Sequence, residues 1–261
     1  MKLGMILDAP FPDDARVSNE CDELIKSGHE IFLFCLSYKK KFQKIEVYNG
    51  INIRRYFCSK IAYKSSALAN DLPFYTIKMK KKIRHFVVNN NLNYLHVHDI
   101  QIANAAAQIC DGLGLKFTLD LHENRPEIMK YYKHVNKIFG KLFISPNRWK
   151  IAEEKFVTKA HKIITVTEYA KNELVKRCRI DQKKVVVYPN TVKQSFYLDK
   201  QLDEELKRTY SKNFVLIYIG NTSERRGLET VIDSLPSIKK KIKNIKLIII
   251  GKSSYDNTLK H

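Results

Sequence analysis

The sequence predicts an α/β protein: a doubly wound, mostly parallel sheet, followed by the first part of a second sheet of the same kind. Three observations carry this. Short apolar runs alternate with helical stretches along most of the chain. Several of those runs stop abruptly on polar clusters, as buried parallel strands do where they meet a ligand edge. The alternation then restarts after about residue 213, beyond a polar, irregular stretch.

The elements follow in order. Residues 2–7 form a buried strand with Asp8 at its end, and Asp13 or Asp14 caps a helix over 15–27 with Val17, Cys21, Leu24 and Ile25 on one face. Gly28 closes that helix and 30–36 is a second buried strand, completing a parallel strand–helix–strand unit. Residues 37–64 are basic and irregular apart from a strand at 51–56, and 70–91 form a helix with a strongly basic middle. Strands at 94–97 and 116–121 flank a small-residue helix, 100–111, ended by Gly112 and Gly114. One or two helices around Pro146 fill 127–160, then come a strand at 162–166, a helix at 169–178 and a strand at 184–188. This places a first domain at 1–190, a linker at 191–212 and a partial second domain at 213–261, with strand 214–219, helix 228–240 and strand 245–250.

Composition narrows the function classes. Hydrophobic residues make up 44% and aromatics 11% of the 261 residues, which suits a globular core. No run reaches the roughly 18 apolar residues of a membrane span, and the first residues meet an acid too soon for a signal peptide. The five cysteines are odd in number and lack C-x-x-C spacing, so the expectation is reduced thiols in a cytoplasmic protein. The net charge of +20 has two readings, solvated surface lysine or attraction to polyanions such as phosphorylated ligands and an anionic membrane surface. Basic runs without stacking aromatics argue against nucleic acid.

Polar strand ends supply the candidate site. The stretch 94–129 carries His98 and Asp99 after one strand and His122, Glu123 and Arg125 after the next. His96 and His98 share a face of their strand, and with Asp99 and His122 they are the only metal-like constellation; the downstream ligands a metallohydrolase needs are missing, since His134 and His161 do not complete a set. The expectation is therefore no metal, with His96 in the core. There is no P-loop, no G-x-S-x-G elbow and no Gly-rich turn after the first strand, which argues against a nicotinamide enzyme. Gly220 to Gly227 does lie between a strand and a helix, and carries Arg225 and Arg226; backbone amides and paired guanidiniums at a helix start suit a diphosphate.

Taken in order, Phe11-Pro12-Asp13-Asp14-Ala15-Arg16-Val17, His98-Asp99, Leu119-Asp120-Leu121-His122-Glu123, Val187-Tyr188-Pro189-Asn190, Tyr218-Ile219-Gly220, Arg226-Gly227-Leu228 and Leu247-Ile248-Ile249-Ile250-Gly251 resemble glycosyltransferase family 4, retaining enzymes of the GT-B fold. The resemblance implies two Rossmann-like domains and transfer of a sugar from a nucleotide-sugar donor to a glycan or lipid-linked acceptor in cell-surface polysaccharide biosynthesis, without a metal. It implies His122 at the donor sugar as the catalytic-site residue. Arg225, Arg226 and Gly220 would then lie at the donor diphosphate, and Arg16, His98, Asp99, Glu123 and Asn190 along the cleft. Thr191 and Lys193 depart from the family's hinge, and Asn221 stands where many members carry a base. The family's spaced glutamate pair would fall beyond residue 261, so the expectation is a truncated and catalytically impaired form. Two other readings stay open: a non-catalytic or split binding subunit of this fold, and a metal-dependent hydrolase at His96, His98 and His122.

Overall fold

The computed structural model describes residues 1–70, 72–130, 144–192, 203–253 and 255–260. The chain divides into two compact units, residues 1–192 and 193–261. In the first, an eight-stranded sheet is built from β1 (Lys2–Ile6), β2 (Glu30–Ser37), β3 (Ile45–Tyr48), β4 (Ile51–Phe57), β5 (Tyr94–His98), β6 (Lys116–Leu121), β7 (Lys162–Thr165) and β8 (Val185–Val187). Their order across the sheet is β3-β4-β2-β1-β5-β6-β7-β8, and every pairing but β3–β4 is parallel. From β1 the chain first grows outward to one edge, then returns to lay β5 on the other side of β1. That reversal opens a crevice at the carboxyl ends of β1 and β5, where ligands bind in such sheets.

The helices are α1 (Ala15–Lys26), α2 (Lys60–Lys64), α3 (Phe74–Asn89), α4 (Ile100–Leu113), α5 (Arg125–Met129), α6 (Pro146–Lys159) and α7 (Glu168–Cys178). Neighbouring strand residues alternate between two cores, as the period of two requires. Ile6, Phe34 and Val97 enter the larger one, with Met79 and Phe86 of α3 and Ala103 of α4. Met5 and Leu33 enter the smaller one, with Val17 and Cys21 of α1. Gly4 permits this density, since a Cβ there would lie 2.5 Å from Leu92 Cδ1 and 2.8 Å from Leu95 Cδ2.

Most expected elements are present within a few residues of their predicted ends. The strand β3 and the one-turn helix α2 are the exceptions, because residues 37–64 were expected to be irregular apart from one strand. Ile45–Tyr48 is short and its side chains are mostly exposed, so it makes no apolar run. It pairs antiparallel with β4 through a two-residue turn in which Asn49 has φ 49° and Gly50 φ 79°. Asn-Gly is the preferred sequence for such a turn and was the available signal. The predicted helical region 127–160 is described only at its two ends, by α5 and α6; His134 lies outside the described residues.

In the second unit, helix α8 (Glu204–Tyr210) lies within residues 200–211, the charged end of the linker that reads as a helix in the sequence. Strands β9 (Phe214–Ile219) and β10 (Ile245–Ile250) pair in parallel, joined through α9 (Leu228–Lys241). The loops after the two strands touch: a Cβ on Gly251 would lie 1.8 Å from the Gly220 carbonyl oxygen.

Candidate functional site

Four elements of the first unit converge at the carboxyl ends of β5 and β6. Parallel register sets His98 beside Asp120, and His96 beside Met5 of β1, so these side chains point toward the face that α1 covers. On α1, Arg16 and Glu20 stand one turn apart and lean onto the same spot, which starts from the Asp14 side chain capping Val17 N–H.

Asp120 is the hub. Its side chain is fully buried, yet its carboxylate meets four nitrogen-bearing side chains. Arg16 Nε donates to Oδ2 at 3.0 Å and Arg16 Nη2 to Oδ1 at 2.8 Å, the two-pronged geometry a guanidinium gives a carboxylate. His122 Nε2 lies 2.9 Å from Oδ2, His98 Nδ1 3.4 Å and His96 Nε2 3.8 Å. Arg16 Nη1 donates to the Tyr188 carbonyl at 2.7 Å and to Asn190 Oδ1 at 3.0 Å, and the guanidinium stacks 4.9 Å from the Tyr188 ring centre. The segment after β8 is thereby tied to α1 and β6. Glu20 Oε1 is 3.1 Å from Arg16 Nε, and its Oε2 is 3.2 Å from His96 Nε2.

The electrostatics follow from burial and partners. Burial works to raise the Asp120 carboxyl, but the hydrogen bonds from His122 and Arg16, with the His96 and His98 rings close by, overcome it and hold the group well below the usual carboxylate range. Burial also works against charge on His122, yet Asp120 and Asp99 lift it to about 9; for His96, Asp120 and Glu20 do the same, again to about 9. His98 has burial and cationic His96 and His122 against it and falls to about 3, so it stays neutral. The buried carboxyl of Asp8, at the end of β1, is pushed to about 7 by burial and then by Asp99, while Tyr75 Oη donates to it at 3.3 Å.

In front of this cluster lies a pocket of about 480 Å³, lined by Arg16, Asp99, His122, Glu123 and Arg125 with Tyr188 to Thr191 opposite. Asp99 reaches its wall from φ 65° and ψ 158°, a backbone region that side chains other than glycine's rarely enter; its N–H is held by the Asp120 carbonyl at 2.9 Å. The structure thus gathers Arg16, Asp99, His122, Glu123 and Asn190 in one pocket. His98, expected along the cleft, is instead completely buried behind His122, with their nitrogens 3.0 Å apart. His96 is buried as expected, but among charges and not in apolar core. Glu20 and Asp120 carried no predicted role. A charged residue in the middle of the apolar run Phe117-Thr118-Leu119-Asp120-Leu121, and an acid one helical turn after Arg16, were the signals.

Glu20, His96, His98 and Asp120 place one ligand-type atom each within 4.8 Å of one another, as a divalent ion would require. The space is contested: Arg16 already lies against both carboxylates and His122 takes Asp120 Oδ2. Arg16, His96 and His122 bring side-chain positive charge to these carboxylates.

In the second unit, Glu224–Arg226 make a single turn before α9, and Gly227, at φ 68°, leads into the helix. Arg225 and Arg226 are exposed, and among the described residues neither guanidinium has a polar partner. Thr222, earlier in the same loop, is buried, its hydroxyl bonded to Asp256, which also accepts the Ser253 N–H at 3.0 Å.

Residues 15–196 match the model of Glycosyltransferase Family 4. The chain belongs to that family. Residues 199–261 match a second model, Glycosyl transferases group 1. The chain is 27% identical over 103 residues to the capsular polysaccharide biosynthesis glycosyltransferase CapM of Staphylococcus aureus, an alignment covering 37% of this chain and 27% of CapM. Among solved structures, sucrose-phosphate synthase of Thermosynechococcus elongatus has a TM-score of 0.66 at 12% identity, covering 98% of this chain and 63% of that one. Anabaena Alr3699/HepE in complex with UDP and glucose has a TM-score of 0.59 at 12% identity, covering 100% and 64%. The fold is the α/β, GT-B-like one expected from the sequence. The chain spans about a quarter of the curated relative and less than two thirds of these structures.

Proposed function

We propose that the protein is a hexosyltransferase that moves a sugar, with retention, from a nucleotide-diphosphate sugar to a glycan or lipid-linked acceptor in polysaccharide biosynthesis. The observation that carries this reading is one pocket at the carboxyl edge of a family 4 sheet, walled by His122, Arg16, Asp99 and Asn190. CapM, named for capsular polysaccharide biosynthesis, supports the pathway. In this reading His122 stands at the donor sugar, which it helps to position while stabilising charge, and Arg226 neutralises the diphosphate leaving group as the glycosidic bond breaks. Arg225 and Arg226, with the backbone from Gly220 to Gly227, take the diphosphate. No metal is assigned a role, since guanidinium and imidazolium groups meet the leaving group's charge. The test is release of nucleoside diphosphate from a panel of nucleotide hexoses. His122→Ala and Arg226→Ala are each expected to abolish it, and turnover retained in both overturns the site assignment.

The same reading places the protein in the cytoplasm, against the inner face of the membrane. No helix among the described residues is long and apolar enough to cross a membrane. What supports contact is the pairing of exposed Ile61, Phe74 and Ile77 with exposed Lys78, Lys80, Lys81 and Arg84 on α2 and α3. Co-sedimentation with anionic but not neutral vesicles, lost at high salt, is the expected result; equal recovery with both removes the electrostatic part of this reading.

A further inference from the structure

We infer that Asp120 is the positioning residue of this site: it holds His122 by Nε2 so that the Nδ1 edge of the ring faces the pocket, and through Arg16 it ties that ring to the segment leaving β8. The inference rests on His122 being the residue at the sugar.

The hydrogen-bond inventory fixes the orientation. An ionised carboxylate only accepts, so the 2.9 Å contact between Asp120 Oδ2 and His122 Nε2 requires the proton on Nε2. The ring's other nitrogen, Nδ1, then lies 3.7 Å from Asp99 Oδ2 on the pocket wall. His98 cannot replace Asp120 in this task, because the neutral imidazole 3.0 Å from His122 Nε2 lends no charge. Asp120 itself is buried and held on both oxygens. Arg16 grips both of its oxygens, and that guanidinium is in turn fixed by the Tyr188 carbonyl and Asn190 Oδ1. One buried carboxylate therefore sets the angle of the pocket imidazole and the course of residues 188–190. Both line the same cavity. Asp120 lines none of it, so it acts through His122 without meeting the substrate.

The groups that face His122 are Asp120 on β6, His98 and Asp99 at the end of β5, and Arg16 on α1. Nitrogen-15 NMR of histidine-labelled full chain reads the ring directly, without substrate. Wild-type His122 is expected to keep its Nε2 proton throughout and to titrate above pH 8. Asp120→Asn is expected to lower that midpoint by about 1 unit or more. Asp99→Asn, altered at the more distant carboxylate, is expected to move it less. A wild-type midpoint near ~6.5, equal midpoints in wild type and Asp120→Asn, or a larger shift in Asp99→Asn each overturn the inference. The wild-type midpoint and tautomer decide the matter even if Asp120→Asn does not fold. In transfer assays Asp120→Asn is expected to lower kcat at least tenfold with little change in KM. If no sugar nucleotide is turned over by any form, the functional reading fails while the titration still judges the role of Asp120.

Discussion

Two arginine sites in this chain look alike in sequence and differ in kind. Arg16 follows a strand and sits in the first turn of a helix; Arg225 and Arg226 also follow a strand and precede a helix. The Arg16 side chain is 7% exposed, and all three of its nitrogens bond within the protein, to Asp120, Tyr188 and Asn190. Arg225 and Arg226 are exposed and hold nothing among the described residues. A guanidinium already matched to a buried carboxylate has little left to offer a ligand; one without partners keeps its whole fork for a phosphate. Position after a strand therefore does not tell a structural arginine from a binding one. Burial and partners do.

The sharpest way to break this comparison is to remove each arginine's counterpart. Asp120→Ala strips the partner from Arg16 and from two imidazoles raised to about 9, His96 and His122, and leaving buried cations uncompensated typically costs about 3–5 kcal/mol. Urea denaturation should show that loss, and the double variant Arg16→Met/Asp120→Leu should lose less than Asp120→Ala alone. An Asp120→Ala variant as stable as wild type would refute the hub. Next in size, Arg226→Ala and Arg225→Ala should each weaken uridine diphosphate binding about tenfold while stability stays within about 0.5 kcal/mol. Calorimetry beside a thermal melt separates the two effects; an unchanged affinity would make this turn an ordinary loop.

The pH dependence sharpens the same contrast. His96 and His122 have folded values raised above 6.5, so their contribution is fully present below 6.5 and is lost as pH rises through about 9. Asp120, held well below its ordinary value, contributes above about 4 and loses that contribution only in stronger acid. His98 runs the other way: the unfolded chain takes a proton below 6.5 that the folded chain refuses until about 3, so acid costs stability there. Stability measured by urea should fall from pH 6.5 to 9.5 in wild type and fall less in Asp120→Ala. The smallest expected effect concerns the β3–β4 turn. Gly50→Ala, at φ 79°, should cost about 1 kcal/mol; no change in the melt would mean that the β3–β4 hairpin does not limit stability.

Much of this molecule was legible from one dimension. The apolar run at 30–36 announced a parallel strand because burial on both faces leaves no alternation to confuse with another element. Asp14 and the helix that follows it were legible because capping is local. His122 and Asp99 stood out as polar residues where an apolar run stops. β3 was missed because an exposed edge strand has no such run. Glu20 and Asp120 were missed for a different reason: Glu20 reads as one of several acids on a polar helix face and Asp120 as a polar position in a strand, and the partners that give them a role, His96 and Arg16, lie 76 and 104 residues away.

By itself, the sequence determined the fold class, the strand ends that carry the site and the family resemblance, since all three depend on local periodicity and ordered motifs. Tertiary structure alone decided which polar residues are wall and which are support. His98 and His122 look equivalent in sequence, each following an apolar run. One ends neutral and sealed, the other charged and facing a pocket, because only the packed sheet and α1 set the distance of each ring from Asp120 and from water.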